Sequence, residues 1–406
     1  MPLAPELAGV NSADAAARDA AVGEVQCDRA WVEINQDALA FNVRQIRQTL
    51  SPGTALMAVV KADAYGHGAV TVAQTAVQAG ASWLGVATIP EGIELRQAGV
   101  TAPILVLGAA NMPEQVQAIA HWHLQPTLGN PKQALVFAET LAEGEGRSPL
   151  SVHLKLDTGM SRLGTSWQEA ANFAHLVQGL PQLQIASVYS HLATADERDL
   201  TILRMQQQRF EAAIAQLHTA GIHPPRLHLA NSAATLVDSA LHYDQVRTGL
   251  LLYGLHPAPH LADCIAVQPV MQVKARITQI KSLQAGEGVS YGHRFVAERD
   301  MQIAVVGIGY ADGVPRLLSN RLEVLVRGQR MRQLGAITMD QMMVDVSALP
   351  QVQVGDVVTL LGTDGGDRIT ADDWANAIGT ISWEILCGFK HRLPRITTHP
   401  RPPQVG

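Results

Sequence analysis

Five short segments of the chain place reactive side chains directly after apolar runs. Lys61 follows the first, in AVVKADAYGHG (58–68). Arg162 lies in LDTGMSRLG (156–164), His191 in SHLATADE (190–197), Asn231 and Ser232 in ANSAA (230–234), and Arg247 opens RTGLLLYG (247–254). An amine, two guanidiniums, an imidazole and an Asn-Ser pair can together hold an anionic ligand and move protons on it. Singly, each has a plain structural use: a lysine after a strand snorkels to solvent, a lone histidine is a satisfied structural residue, and Asn-Ser before a helix is an N-cap. Their common position is what points to a site, because functional residues of a (β/α) barrel gather just past the C-terminal ends of its strands. The loops after strands seven and eight of such a barrel commonly bind phosphate through backbone N–H groups. Ser232, Gly249 and Leu250 occupy those loops.

The elements that must position these residues follow from periodicity. Strand candidates are 55–60, 83–87, 103–107, 124–128, 151–156, 184–189, 226–229 and 243–247, with helical patterns between them at 69–78, 113–120, 167–177 and 200–220. Eight strands alternating with helices predict a parallel, closed barrel; a doubly wound sheet is the alternative if strands have been split. After about residue 268 the texture changes. Met271–Ile277 alternates at period two, and strand candidates follow at 302–308, 322–326, 332–337, 342–346 and 357–361, with one helix at 371–377. The expected fold class is α/β, an N-terminal (β/α)8 TIM-type barrel (27–268) followed by a C-terminal mainly-β domain (269–400). Residues 1–26 and 401–406 read as tails.

Composition excludes several classes. The 406 residues are 47% hydrophobic and 16% charged, which fits a globular protein and not a disordered one. A net charge of −6 argues against nucleic acid or an anionic membrane surface as partner, and no apolar run approaches the roughly 20 residues of a membrane span. Three scattered cysteines (Cys27, Cys264, Cys387) and an N-terminus without a secretory pattern predict a cytoplasmic protein. His121 with His123, and His223 with His228, lack a carboxylate or Cys to complete a metal site, so no metal is expected. Gly307-Ile-Gly309 fails the dinucleotide spacing.

AVVKADAYGHG resembles the pyridoxal-phosphate attachment segment of the alanine racemases, a fold-type III family. The resemblance extends over LDTGMSRLG, SHLATADE, ANSAA, RTGLLLYG, VSYG (289–292), GYADGVPR (309–316) and MDQ (339–341). It implies an isomerase, an amino-acid racemase that uses pyridoxal 5'-phosphate to interconvert L- and D-alanine and supplies D-alanine for peptidoglycan. Lys61 would carry the cofactor and, once freed by substrate, act as one Cα base, with Tyr291 as the base on the opposite face. His191, linked to Arg247, would favour the tyrosine's charged form. Arg247 would meet the pyridine nitrogen as a donor that never yields its proton, a choice that favours racemisation over decarboxylation.

Tyr65, Asn231, Ser232, Gly249 and Leu250 would complete the cofactor site. Arg162 and Met339 would meet the substrate carboxylate, and Asp196 and Arg316 would line the substrate corridor. Lys155 matches a lysine that many relatives carry as a carbamate. Two positions depart from the family: His391 stands where many relatives have a phosphate-contacting Tyr, and Ala336 where many have a corridor Arg. Because Lys61 and Tyr291 belong to different domains, the resemblance implies a head-to-tail homodimer with shared active sites. The rival readings are a racemase of broader specificity, a fold-type III decarboxylase and a non-catalytic pyridoxal-phosphate carrier. Arg247 argues against the decarboxylase, and the VSYG-bearing domain against the carrier.

Overall fold

The computed structural model describes residues 29–142 and 148–398, which fall into two units. One spans Asn35–Val270; the other joins Met271–Thr398 to the segment that ends at Ile34. The tails expected at 1–26 and 401–406 lie outside the described residues.

In the first unit eight parallel strands run Ala55–Val59, Trp83–Val86, Ile104–Ala109, Gln125–Leu128, Leu150–Asp157, Leu183–Tyr189, Leu227–His228 and Gln245–Thr248. Each of the first seven pairs with the next along the chain except across the last seam, and the eighth returns to the first through Val246↔Leu56 and Arg247↔Met57. Two backbone bonds hold that seam: Asp244 N–H to Leu227 O at 3.1 Å and Arg247 N–H to Ala230 O at 3.0 Å. The ring is closed, as expected of a (β/α)8 barrel.

The pleat sorts each strand's residues into two layers. Leu56, Leu84, Ile104, Leu154, Val188 and Val246 point toward the helices and are all but completely buried. On the inner face the first three strands bring Met57, Trp83 and Leu105 together with Leu107. The remaining strands turn Thr127, His153, Lys155, Ser187, Tyr189, His228 and Arg247 inward, every one of them buried. The barrel core is therefore apolar on one side and polar on the other. Helices cover the outside; Gln36–Thr49 starts where Asn35 Oδ1 accepts from Ala38 N–H at 2.9 Å, an N-cap that satisfies an otherwise orphaned donor.

The second unit is mainly β. Met271–Leu283 pairs antiparallel with both Met301–Val306 and Val357–Asp364. Through Met342–Asp345, Gln329–Leu334 and Glu323–Val326 the ladder returns to Val357–Asp364, so six antiparallel strands make a closed ring. Ala30–Asn35 lies antiparallel along Met271–Leu283, with Ala30↔Ala275 and Ile34↔Met271. That strand precedes the barrel in sequence yet belongs to the other unit's sheet. Among the described residues no helix is long and apolar enough to cross a membrane.

Candidate active site

Lys61 leaves the first barrel strand and enters a turn of the wrong hand. Ala62, Asp63, Ala64 and Tyr65 all lie near φ +54 and ψ +45, and Ala64 N–H bonds back to Val60 O at 2.9 Å. Four consecutive L-residues in the left-handed region cost about 1–2 kcal/mol each, so the surroundings must hold them there. Glu91 does much of this. Its Oε1 accepts from Ala62 N–H at 2.7 Å, while Oε2 accepts from Ala87 N–H at 2.7 Å and Thr88 N–H at 3.0 Å. Asp63 Oδ1 accepts from Ala69 N–H at 2.8 Å and secures the far end of the turn.

The turn delivers Tyr65 against the loop after the eighth strand. Its ring packs on Tyr253 with centroids 4.8 Å apart, and a Cβ added at Gly249 would lie 2.7 Å from the Tyr65 hydroxyl. Gly249 N–H donates to Ser232 Oγ at 3.0 Å. A hydroxyl from each of Tyr65 and Ser232 thus meets backbone at Gly249, where only glycine leaves room, beside Leu250. Asn231 serves locally as the N-cap of Ser232–Val237, its Oδ1 accepting from Ala234 N–H at 3.0 Å.

Arg247 is buried beside this loop. Nη1 donates to His228 Nδ1 at 2.9 Å; Nη2 donates to Ser190 O at 2.7 Å and Leu229 O at 3.1 Å, with His191 Nδ1 at 3.3 Å. Among the described residues no acceptor meets Nε–H. Burial brings the guanidinium down to about 10, which leaves it charged at neutral pH. Burial, and then the positive charge of Arg247, pushes both His191 and His228 well below the usual imidazole range, so both are neutral. Gln206 fixes the loop that carries His191, accepting from Ala193 N–H at 2.8 Å and donating to His191 O at 3.0 Å.

Lys155 points into the same interior, its ammonium 5.4 Å from the centre of the Tyr189 ring. Burial, followed by the charges of Arg247, Arg162 and Lys61, lowers its amine to about 8. Arg162 itself is exposed on a loop shaped by Asp157, whose Oδ1 accepts from Gly159 and Ser161 N–H at 2.9 and 3.0 Å. Asp196 is half-buried on the loop that follows His191. Lys61, Tyr65, Lys155, Arg162, His191, Asp196, Asn231, Ser232, Arg247, Gly249 and Leu250 all therefore follow or end barrel strands of one unit.

The second unit carries the other candidates. Tyr291 is 73% exposed on a short turn in which Ser290, Gly292 and His293 all have positive φ. Met339 is exposed, and its carbonyl accepts from Ala311 N–H at 3.0 Å. A Cβ at Gly309 would lie 2.3–2.4 Å from the Thr338 and Met339 carbonyls, so the two loops touch only because residue 309 is glycine. Arg29 clamps this corner, donating to Asp312 at 2.7 and 2.8 Å. Arg316 is exposed just beyond, Ala336 is buried, and His391 is exposed.

Several residues that build this site carry little or no signature in the sequence. Glu91 stands three residues after Thr88, a capping-box spacing that was available to read. His228 reads in the sequence only as half of a metal pair; in the fold it stacks on Tyr189 (4.6 Å, 4° between planes) and holds Arg247. Ser187 and His153 have no local signal, and Asp312 stands in GYADGVPR with no role of its own legible there.

Comparison with known proteins follows the same division. The model of the alanine racemase N-terminal domain matches residues 34–257, and that of the alanine racemase C-terminal domain residues 270–397. The alanine racemases of a Nostoc and a Synechocystis species are each 66% identical, over 91% of this chain and 98% of their own length. Among solved structures, alanine racemase from E. faecalis is 37% identical with a TM-score of 0.87, covering 91% of this chain and 98% of its own. That from Bacillus anthracis with bound L-Ala-P is 35% identical with a TM-score of 0.86, covering 92% and 95%.

Proposed function

The chain belongs to the alanine racemase family, isomerases of alanine, and from that premise we propose that it interconverts L- and D-alanine with pyridoxal 5'-phosphate and two protein bases, Lys61 and Tyr291. The observation that carries the reading is the rim of the barrel, where a strand-end lysine, a two-hydroxyl cradle at a glycine and a buried arginine charged at neutral pH lie at successive strand ends. The cradle fits the cofactor: its open face at Gly249 is the space a Cβ would fill. Its donors are of the kind a phosphate accepts. When bound, the cofactor takes up the electron pair left at Cα as the proton departs.

The chain's own residues do the rest. Lys61 would hold the cofactor at the end of the first strand, and its amine would move a proton at one face of Cα. Tyr291 moves it at the other. Tyr65, Ser232, Gly249 and Leu250 hold the phosphate, and Asn231 keeps Ser232 in place through its cap. Arg247 offers Nε–H to the pyridine nitrogen and cannot protonate it, which restrains reprotonation elsewhere. His191 joins this arginine to the tyrosine's surroundings. Arg162 and the backbone of Met339 receive the substrate carboxylate, while Asp196 and Arg316 line the approach. D-Alanine so made would supply peptidoglycan synthesis in a bacterial cytoplasm.

Lys155 carries a carbamate in this reading. A neutral amine attacks CO₂, its nitrogen forms the new C–N bond, and the proton leaves to solvent. An amine at about 8 is uncharged in about a tenth of molecules at pH 7. The resulting carboxylate would answer the cations Arg247, Arg162 and Lys61 around it. Tyr291, on a strained turn and 73% exposed, suits a surface completed by a second copy, and we place it in the active site of the partner in a head-to-tail dimer.

The deciding experiment incubates L-alanine with the purified protein and pyridoxal phosphate in D₂O. An equal mixture of enantiomers with deuterium at Cα is expected. Unchanged L-alanine without exchange would overturn the proposal.

A further inference from the structure

The loop that carries Met339 is held from outside at three consecutive residues. Thr338 O accepts from Tyr310 N–H at 2.9 Å, Met339 O accepts from Ala311 N–H at 3.0 Å, and Asp340 Oδ1 accepts from Arg392 Nη2 at 2.9 Å. All three holds lead back to one carboxylate. Asp312 follows the two backbone donors in sequence, and its Oδ2 accepts from Gly309 N–H at 3.0 Å, just before them. Its Oδ1 lies 3.5 Å from Nε of Arg392, the guanidinium that also reaches Asp340. Arg29 meets both oxygens, at 2.8 and 2.7 Å, and its Nη1 donates again to Gly307 O at 3.0 Å.

Along this chain the charges alternate, Arg29, Asp312, Arg392, Asp340, and sum to zero. Only Asp312 is sealed from water; the other three side chains reach the surface. A buried carboxylate is tolerated when donors surround it, and here they come from three separate stretches of chain. The 309–314 loop takes its shape from its own backbone, with Asp312 N–H on Gly309 O at 3.1 Å and Val314 N–H on the same carbonyl at 3.3 Å. What the carboxylate adds is the loop's place. There is no slack on either side: a Cβ at Gly309 would strike the Thr338 and Met339 carbonyls, and one at Gly313 would lie 2.6 Å from Gly388 O.

We propose that Asp312, gripped by Arg29, is a positioning residue for the substrate carboxylate, fixing the Met339 backbone that receives it. The proposal rests on the role given to Met339 above. Asparagine at 312 would offer one acceptor oxygen and turn an amide donor on the donors of Arg29. The grip would fail on one side, and the backbone at 338–340 would gain freedom. Substrate would then have to order that loop on binding, so affinity for the carboxylate falls while the proton steps at Cα are spared.

The test measures alanine racemisation and backbone amide exchange on the full chain with pyridoxal phosphate bound. In Asp312→Asn and Arg29→Met the amides of Tyr310 and Ala311 should exchange roughly tenfold faster, one hydrogen bond's worth. KM for alanine should rise by a similar factor, with kcat and cofactor affinity within about twofold to threefold of the unaltered protein. Arg392→Met should raise KM in the same direction. Arg29→Lys, which keeps one contact to Asp312, should recover part of the loss seen in Arg29→Met.

A KM within about twofold of the unaltered protein in both Asp312→Asn and Arg29→Met overturns the proposal. So does a fall in kcat and cofactor affinity as large as the rise in KM, which would mark a general loss of structure. Unaltered exchange at Tyr310 and Ala311 overturns the grip itself. If Asp312→Asn does not fold, Arg29→Met and Arg392→Met, at positions that reach the surface, give the same readings. Absence of racemisation in the unaltered chain would instead refute the function proposed above, and the exchange rates would then decide the grip alone.

Discussion

Replacing Glu91 by alanine should loosen the turn that carries Lys61 more than it loosens the barrel. The carboxylate accepts three backbone N–H groups at 2.7, 2.7 and 3.0 Å, and one of these, from Ala62, is the first link of the left-handed turn. Hydrogen bonds to a charged acceptor are worth about 1.5–3 kcal/mol when shielded. Ala62 and Thr88 are exposed and would rebind water, whereas Ala87 is half-buried and would not do so fully. The expected total is about 2–4 kcal/mol, set against roughly 4–8 kcal/mol of left-handed strain over four residues. Most of the loss should be local. Hydrogen exchange at Ala64 and Gly68, whose N–H groups bond to Val60 O and Asp63 O, should accelerate about 30-fold for each 2 kcal/mol. Amides of Leu154 and Val188, in the fifth and sixth strands, should change little. Covalent capture of pyridoxal phosphate should slow in parallel. Glu91→Gln keeps one acceptor oxygen and should fall between. If Glu91→Ala exchanges these amides at the original rate and captures cofactor as before, the turn is held by other means and the reasoning is wrong.

Other consequences can be checked more briefly. Gly249→Ala puts a methyl 2.7 Å from the Tyr65 hydroxyl at a φ of −117 that alanine accepts, so pyridoxal-phosphate affinity should drop at least about tenfold while the melting temperature barely moves. Tyr291→Phe should slow proton removal from L-alanine more than from D-alanine, measured by deuterium exchange from each enantiomer; equal losses would count against two bases. The amine of Lys155 falls to about 8 in the fold, so the unfolded chain binds the extra proton between pH 8 and about 10.5. The penalty is full below pH 8 and fades above it, and Lys155→Met in CO₂-free buffer should gain about 3 kcal/mol at pH 7 and nothing by pH 10.5. His153 is held down to about 3 by burial, then by Arg226. Its unfolded form takes up a proton that the native one refuses, so stability should fall by about 1.4 kcal/mol per unit as pH drops from 6.5 toward 3. His153→Gln should flatten that slope in acid denaturation.

The barrel was legible because its outward residues are apolar and its runs are short. Ser151–Leu156 shows both properties: Val152, Leu154 and Leu156 face the helices, with polar residues between them. The strand Ala30–Asn35 alternates less clearly and lies before the barrel, and nothing local says that it pairs with Met271–Leu283. Helices Ile89–Gln97 and Pro131–Ala142 were not singled out; the first buries only Ile89, Gly92 and Leu95, too narrow a stripe to stand out. Lys61, Arg162, His191, Ser232 and Arg247 could be placed at one rim from strand counting alone. The left-handed turn could not, since in Ala-Asp-Ala-Tyr only Asp63 is of a type that tolerates positive φ, and a distant carboxylate holds the turn. The pairing of His228 with Arg247 likewise exists only once the seventh and eighth strands meet.

The division of the barrel core has a bearing on folding fidelity. A strand with apolar residues on both faces could slip by one position and still bury grease on either side. The fifth strand cannot. A one-residue slip would drive His153 and Lys155 into the layer of Val and Leu beneath the helices and turn Val152 and Leu154 toward Tyr189 and Arg247. An unpaired lysine there has no counter-charge and no bonding partner, a cost that far exceeds any gain in packing. The polar sector thus acts as an index mark around the circumference. It separates the correct register from its neighbours before any ligand arrives, and it lets five strands find their offset by rejecting the wrong ones.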